Sequence, residues 1–317
     1  MSEAAGSGAP GAARPPRLPL SLILDDCAPI NAAYFMHPEQ EHVLSIPNSF
    51  ADEFAAVCET HGVLGKYSVL PMPSGAGRID RRVSYVAPSD LERFLDIVRS
   101  RLAVRFDITA EILTHLAAYD IDNDRLLHRY EDEWIATASV AEMVRYISLA
   151  LTILNNVGLP ANGVTSCWRA GMSNEEQFAR AIGEAQYAVN GRTFTWYFMH
   201  MDVSGRPRDP FVAWQDRERG ISVVSQPCGV TDRFGRHPCA IDAVISADGT
   251  SGRIPELIRT EQPVVMLAHW QSLFDDGSAA GLRDLDEVLR RIGRHYGDRL
   301  TWMRCSEIAC TALEREL

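Results

Sequence analysis

PLSLILDDCAP, residues 19–29, joins a run of branched apolar residues to two adjacent carboxylates, Asp25 and Asp26. A short continuous apolar run followed by turn residues indicates a buried strand. Burying a carboxylate near the end of such a strand is costly unless a partner offsets its charge. Residues 20–26 are therefore predicted to form a buried strand that ends in a polar site.

Strand and helix patterns alternate along the rest of the chain. Further strands are predicted at 66–73, 106–115, 162–168, 193–202, 262–270 and 299–303. Helices are predicted at 48–61, 88–102, 137–157, 174–189, 281–296 and from Ser306 onward. Seven or eight strands separated by helices favour a single-domain α/β protein, a deformed (β/α) barrel of seven or eight units over residues 18–317. An open doubly wound sheet is the alternative, but the glycine fingerprint that cradles phosphates is absent after the first strand.

Two regions depart from this alternation. Residues 1–17 are rich in alanine, glycine and proline and lack a core-forming pattern, which predicts a disordered leader. Residues 203–255 are less regular, with a hairpin predicted around Arg219 and Gly220. We expect this second region to form a lid or hairpin insertion, or an assembly contact that would make the protein a homo-oligomer.

Composition and charge exclude several classes of function. The net charge of −11 gives no basic footprint, so neither nucleic acid nor an anionic membrane is an expected partner. The most apolar segment, 143–159, contains Arg145 and two asparagines, so no membrane span is expected. The seven cysteines are odd in number and include no CxxC pair, which indicates reduced thiols and a cytoplasmic protein.

Polar or aromatic residues follow most of the predicted strands, at the end where a (β/α) barrel carries its active site. These residues are Asp25, Asp26, His115, Trp168, Arg169, His200, His269 and Trp270. Carboxylates and imidazoles brought together in this way are typical of a divalent metal site, for zinc or a harder ion. His37 and His128 follow the first and third strands closely and are reserve ligands.

Each of these residues also has a purely structural interpretation. As structural residues, Asp25 and Asp26 would cap a following helix or accept hydrogen bonds from loop amides. A histidine or tryptophan at a strand end is often a core residue with a satisfied hydrogen bond. The functional interpretation depends on several such residues converging at one end of the fold.

With these residues in place, the chain resembles the polysaccharide deacetylase superfamily from about residue 19 to residue 310. The resemblance rests on LILDD (22–26), GKYSVLPMP (65–73), ILTH (112–115), GVTSCWRAG (163–171) and VVMLAHW (264–270). It implies a deformed (β/α) barrel that removes acyl groups with the help of a metal. It further implies that Asp25 is the catalytic base and His269 the catalytic acid. Asp26 and His115 are the metal ligands that it implies.

The chain departs from the superfamily pattern at one metal position. A second histidine is usual four residues after the first, but Tyr119 stands there. The third ligand is then Asp120, His200 or another side chain, unless the metal is bound weakly or is absent. The implied metal is Zn²⁺, with Ni²⁺, Co²⁺ and Mn²⁺ as alternatives.

The function implied by the resemblance is hydrolysis of an acetyl or other acyl group on an amino sugar or related N-acyl substrate, which need not be a polymer. The side chains assigned to substrate binding are Trp168, Arg169, His200 and Trp270. One rival is a glycoside hydrolase, in which Asp202 or Glu111 would supply a second carboxylate. The other rival is a catalytically inactive barrel that binds a carbohydrate or a protein.

Overall fold

A parallel sheet forms the centre of the protein, in a computed structural model that describes residues 16–201, 209–235 and 240–315. The strands of this sheet and of two short hairpins are β1 (Leu18–Cys27), β2 (Gly65–Val69), β3 (Gly77–Arg78), β4 (Arg82–Val83), β5 (Phe106–Glu111), β6 (Ala117–Asp120), β7 (Arg125–Tyr130), β8 (Gly163–Thr165), β9 (Phe194–Phe198), β10 (Phe211–Asp216), β11 (Ile221–Ser225), β12 (Val264–His269) and β13 (Leu300–Trp302). The helices are α1 (Ala33–Met36), α2 (Asn48–His61), α3 (Pro88–Ile97), α4 (Glu131–Ile135), α5 (Val140–Asn156), α6 (Glu175–Asn190), α7 (Ala240–Val244), α8 (Arg253–Arg259), α9 (Trp270–Phe274), α10 (Ala280–Tyr296) and α11 (Cys305–Glu314). The predicted alternation of strands and helices is confirmed.

The order of strands in the central sheet is β10–β11–β9–β8–β5–β2–β1–β12, with β13 beside the start of β1. Neighbouring strands run parallel except for β10 and β11. These two form the hairpin predicted around Arg219 and Gly220, and Gly220 adopts the positive φ of 67° that glycine tolerates best. Parallel strands joined by crossover connections bring their carboxyl ends to one edge of the sheet.

Two apolar clusters pack on the sheet. The larger lies between the sheet and the surrounding helices and includes Leu22 and Leu24. In the smaller, Ile23 and Trp196 pack with residues of α11. Each fully buried leucine or isoleucine contributes about 1.5–3 kcal/mol relative to an exposed one. Since side chains alternate along a strand, Asp25 lies on the same face as Ile23, at the carboxyl end of β1.

Four strands end three or more residues before the predicted boundary, among them β2 at Val69 and β8 at Thr165. Strand β5 ends at Glu111 and not at residue 115, and β9 ends at Phe198 and not at residue 202. After β5 the chain forms the hairpin of β6 and β7, which was not predicted from the sequence. Tyr119, which stands where a second histidine is usual, and Asp120, a candidate for the third metal ligand, belong to this hairpin.

Two of the predicted regions are described in part. The leader is described only from Pro16, and the irregular region only at 209–235 and 240–255. Within the described ranges, no helix is long and apolar enough to cross a membrane.

Candidate functional site

A cavity of about 560 Å³ lies at the carboxyl ends of the central strands. Its polar lining includes Asp25, Asp26, Glu111, His115 and His269. Its apolar lining includes Met36, Trp168, Phe198, Met199 and Phe234. Volumes of this size are typical of sites for small molecules or cofactors. The cavity is therefore the candidate functional site, and residues predicted at the ends of four different strands meet in it.

The two adjacent aspartates both face the cavity because the backbone turns at Asp26. Along a regular strand, Asp25 and Asp26 would point to opposite faces. Asp26 instead has a φ of 63°, and the register of β1 against β2 shifts between Leu24 and Cys27. A left-handed conformation at a residue other than glycine costs about 1–3 kcal/mol. The N–H of Asp26 donates to Glu111 Oε2 at 2.7 Å, which helps to hold this conformation.

Asp26, Glu111 and His115 form a buried cluster of donor atoms. His115 Nδ1 lies 3.3 Å from Asp26 Oδ1 and 2.9 Å from Glu111 Oε1. The three side chains are at most 7% exposed. Among the residues that the structure describes, Asp26 Oδ1 and His115 Nδ1 nevertheless have no hydrogen-bond partner of suitable geometry. Unpaired polar atoms are costly in a protein interior, so this cluster calls for a further partner.

The pKa values of the three residues reflect crowded negative charge. Burial and the charge of Asp26 raise the pKa of Glu111 to about 8. Burial would lower the pKa of His115, but Asp26 and Glu111 outweigh it and raise the pKa to about 10. Burial would raise the pKa of Asp26, but His115 and His269 outweigh it and lower the pKa to about 2. A protonated His115 therefore offsets Asp26 when no other cation is bound.

The donor set of this cluster fits a divalent cation. One imidazole nitrogen and two carboxylates are ligands that Zn²⁺ and neighbouring first-row ions accept. One atom from each of Asp26, Glu111 and His115 can be chosen so that all three lie within 4.8 Å of one another. Metal–ligand bonds of about 2.0–2.2 Å in a tetrahedron put ligand atoms roughly 3.3–3.6 Å apart. The cluster therefore needs only small adjustments to bind an ion.

A fully buried lysine pairs with the first aspartate. Lys66 on β2 donates to Asp25 Oδ1, and also to Thr165 Oγ1 at 2.6 Å. The Lys66 ammonium lies 4.7 Å from the centre of the Phe198 ring. Lys66 is 0% exposed and Asp25 is 4% exposed, so water has almost no access to the pair. Asp25 thus has an ammonium partner inside the protein.

His269 forms a second charged pair at the cavity. Its Nδ1 lies 2.7 Å from Asp232 Oδ2, and its backbone N–H donates to the same oxygen at 3.2 Å. Burial would lower the pKa of His269, but Asp232 and Asp26 outweigh it and raise the pKa to about 9. His269 is therefore protonated at neutral pH and can act as a proton donor.

Asp120 and His200, which were assigned to the site from the sequence, lie away from the cavity. Asp120 sits at the end of β6, where its carboxylate pairs with Arg125 at 3.5 Å. The hairpin carries Asp120 away from the cavity, so Glu111 occupies the third position in the donor cluster. His200 Nε2 bonds to Glu175 at 2.7 Å, and His200 does not line the cavity.

The other side chains predicted to bind substrate also differ in position. Trp168 lines the cavity, is 39% exposed, and its ring centre lies 5.1 Å from that of His115. Trp270 is fully buried, with its Nε1–H donating to the carbonyl of Ala28 at 3.0 Å, so it is a core residue. Arg169 is exposed and does not border the cavity. Of the four side chains predicted to bind substrate, Trp168 is the one that lines the cavity.

The two histidines named as reserve metal ligands differ in position. His37 lines the rim of the cavity, whereas His128 lies on β7 and outside the donor cluster. Asp202, considered as a glycosidase carboxylate, lies outside the described residues.

The sequence predicted no role in the metal site or its chemistry for Lys66 or Asp232, and it predicted a role for Glu111 only in the glycosidase alternative. The sequence signal for Lys66 is its position within an apolar strand. Burying an unpaired ammonium is costly, so a lysine there indicates a buried partner. Polar and apolar residues alternate in FDITAE (106–111), and this alternation places Glu111 on one face at the strand end. Asp232 follows an irregular segment, in which no periodicity predicts the direction of a side chain.

Comparison with protein-family models and with curated proteins gives no match. Among solved structures, the chain is similar to a mutant of a CE4 family pseudoenzyme with restored enzymatic activity. The TM-score is 0.41 at 8% sequence identity, and the alignment covers 93% of this chain and 69% of the other. A likeness this remote carries no information about the site. The chemistry of the cavity therefore has to be inferred from its own geometry.

Proposed function

We propose that the protein is a metal-dependent hydrolase that removes an acyl group from an amino sugar or a related N-acyl substrate. The observation that carries this proposal is the buried cluster of Asp26, Glu111 and His115, in which Asp26 Oδ1 and His115 Nδ1 have no hydrogen-bond partner of suitable geometry within the described part of the chain. The same cavity presents Asp25 and the protonated His269. A cation site, a base and an acid are the groups that hydrolysis of an amide requires.

Asp26, Glu111 and His115 would hold the cation through two carboxylates and one imidazole. Zn²⁺ is the first choice, with Ni²⁺, Co²⁺ and Mn²⁺ as alternatives. When bound, the cation polarises the acyl carbonyl and lowers the pKa of water. His115 has to release its proton before it can bind the ion, so the affinity falls as the pH is lowered.

Asp25 is the proposed base. The charge of Lys66 offsets that of Asp25, so two adjacent carboxylates can lie in the same cavity. The hydrogen bond from Lys66 also fixes the direction of the Asp25 carboxylate, which lines the cavity and can accept a proton from the attacking water.

His269 is the proposed acid, and Trp168 the proposed wall of the substrate site. His269 is protonated at neutral pH and would donate its proton to the leaving amine. Asp232 bonds to its other side and holds the ring in place. Trp168 is partly exposed at the cavity, where its ring can pack against the apolar face of a sugar.

We infer further that the central sheet closes into the deformed barrel expected from the sequence. Residues 228–230 run beside the segment that follows β9 and beside β12, with single bridges from Cys228 to Met201 and from Val230 to Met266. Backbone hydrogen bonds of 2.9–3.1 Å accompany both bridges. Closure of this kind would arrange the strand ends around the one cavity.

Metal binding and chelator sensitivity test the proposed function. Protein stripped with EDTA is titrated with Zn²⁺ by isothermal titration calorimetry, and we expect a single saturable site. Acetate release from chitin oligosaccharides should appear on addition of Zn²⁺ and disappear with EDTA. A protein that binds no Zn²⁺, or whose acetate release is indifferent to EDTA, would contradict the proposal.

The pKa values of Glu111 and Asp26 support glycoside hydrolysis as a second candidate. A pKa of about 8 for Glu111 and about 2 for Asp26 separates a proton donor from an ionised carboxylate. Their closest approach is shorter than the roughly 5–5.5 Å between the carboxyl groups of retaining glycosidases, which disfavours this alternative. Cleavage of a 4-nitrophenyl glycoside that persists in EDTA would favour it.

The Asp232→Asn variant is expected to shift the alkaline limb of the pH profile downward. The acid form of His269 is the active one, so activity is lost as the pH rises through the pKa of His269, which the Asp232 carboxylate raises against the effect of burial. Without the Asp232 carboxylate, burial favours the neutral imidazole, and the limb should move toward 6.5, the ordinary pKa of histidine. The pH dependence of kcat/KM for acetate release measures this shift.

Asp284→Asn is the matched control for this prediction. Asp284 accepts a hydrogen bond from the N–H of Gly235 at 3.1 Å. Gly235 lies in the same loop as Asp232, and Asp284 does not contact His269. The alkaline limb of the pH profile of Asp284→Asn should coincide with that of the unmodified protein. An unmoved limb in Asp232→Asn would exclude His269 as the acid.

A further inference from the structure

A buried carboxylate stands behind the donor cluster without facing the cavity. Glu131 is the first residue of α4, is 0% exposed, and does not line the cavity. It was given no role from the sequence, and none of the proposed chemistry uses it. A carboxylate buried so completely needs strong partners.

The partners of Glu131 are three consecutive backbone amides and one hydroxyl. Glu131 Oε1 accepts from the N–H of Leu113 at 3.2 Å and of Thr114 at 2.9 Å, and from the Tyr146 hydroxyl at 2.7 Å. Glu131 Oε2 accepts from the N–H of His115 at 2.8 Å. One side chain therefore binds the whole segment that carries the metal-site histidine.

This segment has a backbone conformation that does not form by local preference. Ile112 has a φ of 30° and His115 a φ of 56°, although neither is a glycine. Such conformations persist only when surrounding contacts hold them. The N–H groups of residues 113–115 bond to Glu131, and the carbonyls of Leu113 and Thr114 accept from residues 72 and 74 at 2.8 and 2.9 Å.

We propose that Glu131 is a positioning residue for the candidate metal site. It fixes the backbone of residues 113–115, and the backbone in turn directs His115 Nδ1 toward Asp26 and Glu111. This inference rests on the proposed function, because it assigns Glu131 an effect on metal affinity. Glu131 acts through the backbone and touches neither the cavity nor the donor atoms.

A carboxylate is required because all of its partners are donors. Glu131 receives four hydrogen bonds, and an ionised carboxylate offers only acceptors. Glutamine has the same shape, but in either orientation its NH₂ group would face at least one of the three backbone N–H groups. Glu131→Gln should therefore loosen the segment while leaving its packing volume unchanged.

The first experiment measures Zn²⁺ affinity by isothermal titration calorimetry at a temperature where circular dichroism shows each variant to be folded. Glu131→Gln should bind Zn²⁺ about 10–100-fold more weakly, the usual effect of changing a residue that supports a metal ligand. Tyr146→Phe removes one of the four hydrogen bonds and should have a smaller effect. Glu133→Gln, an exposed carboxylate on the same helix, is the control and should bind normally. A merely structural Glu131 would lower the melting temperature and leave the affinity of the folded protein unchanged.

The second experiment does not depend on metal. Amide hydrogen exchange of Leu113, Thr114 and His115 in the metal-free protein should accelerate in Glu131→Gln and not in Glu133→Gln. Normal affinity together with normal exchange in Glu131→Gln would overturn the inference. If this variant does not fold, the same two results in Tyr146→Phe would overturn it. If the unmodified protein binds no Zn²⁺, the proposed function fails, and the effect of Glu131 on metal affinity fails with it. Accelerated exchange in Glu131→Gln would then still support a role of Glu131 in fixing residues 113–115.

Discussion

Replacing Lys66 with methionine is expected to lower the free energy of unfolding by about 3–5 kcal/mol. Methionine has nearly the length of lysine but no charge, so Asp25 would remain as a buried carboxylate without its cation. Lys66 is 0% exposed and Asp25 is 4% exposed, so water at the cavity can replace only a small part of the lost interaction. Urea unfolding followed by circular dichroism, with linear extrapolation to water, measures the change.

The double variant Lys66→Met/Asp25→Asn separates the effect of charge from that of packing. Removing both charges of a buried pair is often nearly neutral, so the double variant should regain most of the stability that Lys66→Met loses. Arg93→Met is a surface control: its 3.0 Å pair with Asp52 is largely exposed, and its loss should change stability little. A Lys66→Met protein that unfolds within about 1 kcal/mol of the unmodified one would show that the pair is not shielded as its burial indicates.

The pair also determines how the role of Asp25 has to be tested. Asp25→Asn alone would leave Lys66 buried beside a neutral amide, so a loss of activity would mix chemistry with instability. Activity should therefore be compared between Lys66→Met and the double variant, normalised to the folded fraction of each. If Asp25 is the base, acetate release falls further when the carboxylate is removed.

A group of hydroxyls next to the pair completes its hydrogen bonds. The Oγ atoms of Ser68, Thr109 and Thr165 lie 2.8–3.1 Å from one another, and Thr165 also accepts from Lys66. Each hydroxyl can donate once and accept once around this triangle, so none is left unpaired. A buried ion pair rarely stabilises a protein more than apolar side chains would. Its presence among paired hydroxyls therefore favours a role in the site over a role in stability.

The alternation of strands and helices could be predicted because parallel strands are buried on both faces. Leu22, Ile23 and Leu24 follow one another without a polar interruption, and this continuous pattern is local in sequence. The polar residues that end such runs, among them Asp25 and His269, stand out for the same reason. Their meeting in one cavity follows from the parallel topology, which brings the carboxyl ends of the strands to one edge.

The donor set could not be predicted from spacing. From His115 the superfamily pattern points forward to Tyr119, and Asp120 was the nearest alternative ligand. The structure instead brings in Glu111, four residues before His115. Positive φ values at Ile112 and His115 reverse the chain there and return His115 to the side of Glu111. Such conformations depend on distant contacts and have no local signature in the sequence.

The Asp26→Asn variant is expected to lose Zn²⁺ affinity by more than the roughly 10–100-fold that changes around a ligand usually cost. Gln271 donates to Asp26 Oδ2, so an asparagine would keep its oxygen toward Gln271 and turn its NH₂ group toward His115. An NH₂ group in that position repels a cation in addition to removing an anionic ligand. Titration of the metal-stripped variant with Zn²⁺ by isothermal titration calorimetry measures the loss.

Asp275→Asn provides the matched control, because Asp275 lines the same cavity but bonds to Ser278 and lies outside the donor cluster. If the carboxylates act only as a diffuse negative field, both variants should weaken Zn²⁺ binding to a similar extent. If Asp26 is a ligand, Asp275→Asn should bind almost normally. In the metal-free Asp26→Asn protein, the pKa of His115 should also fall below about 10, since Asp26 is the main charge that raises it. A variant that shows this fall in an NMR titration yet retains its Zn²⁺ affinity would place the cation away from Asp26.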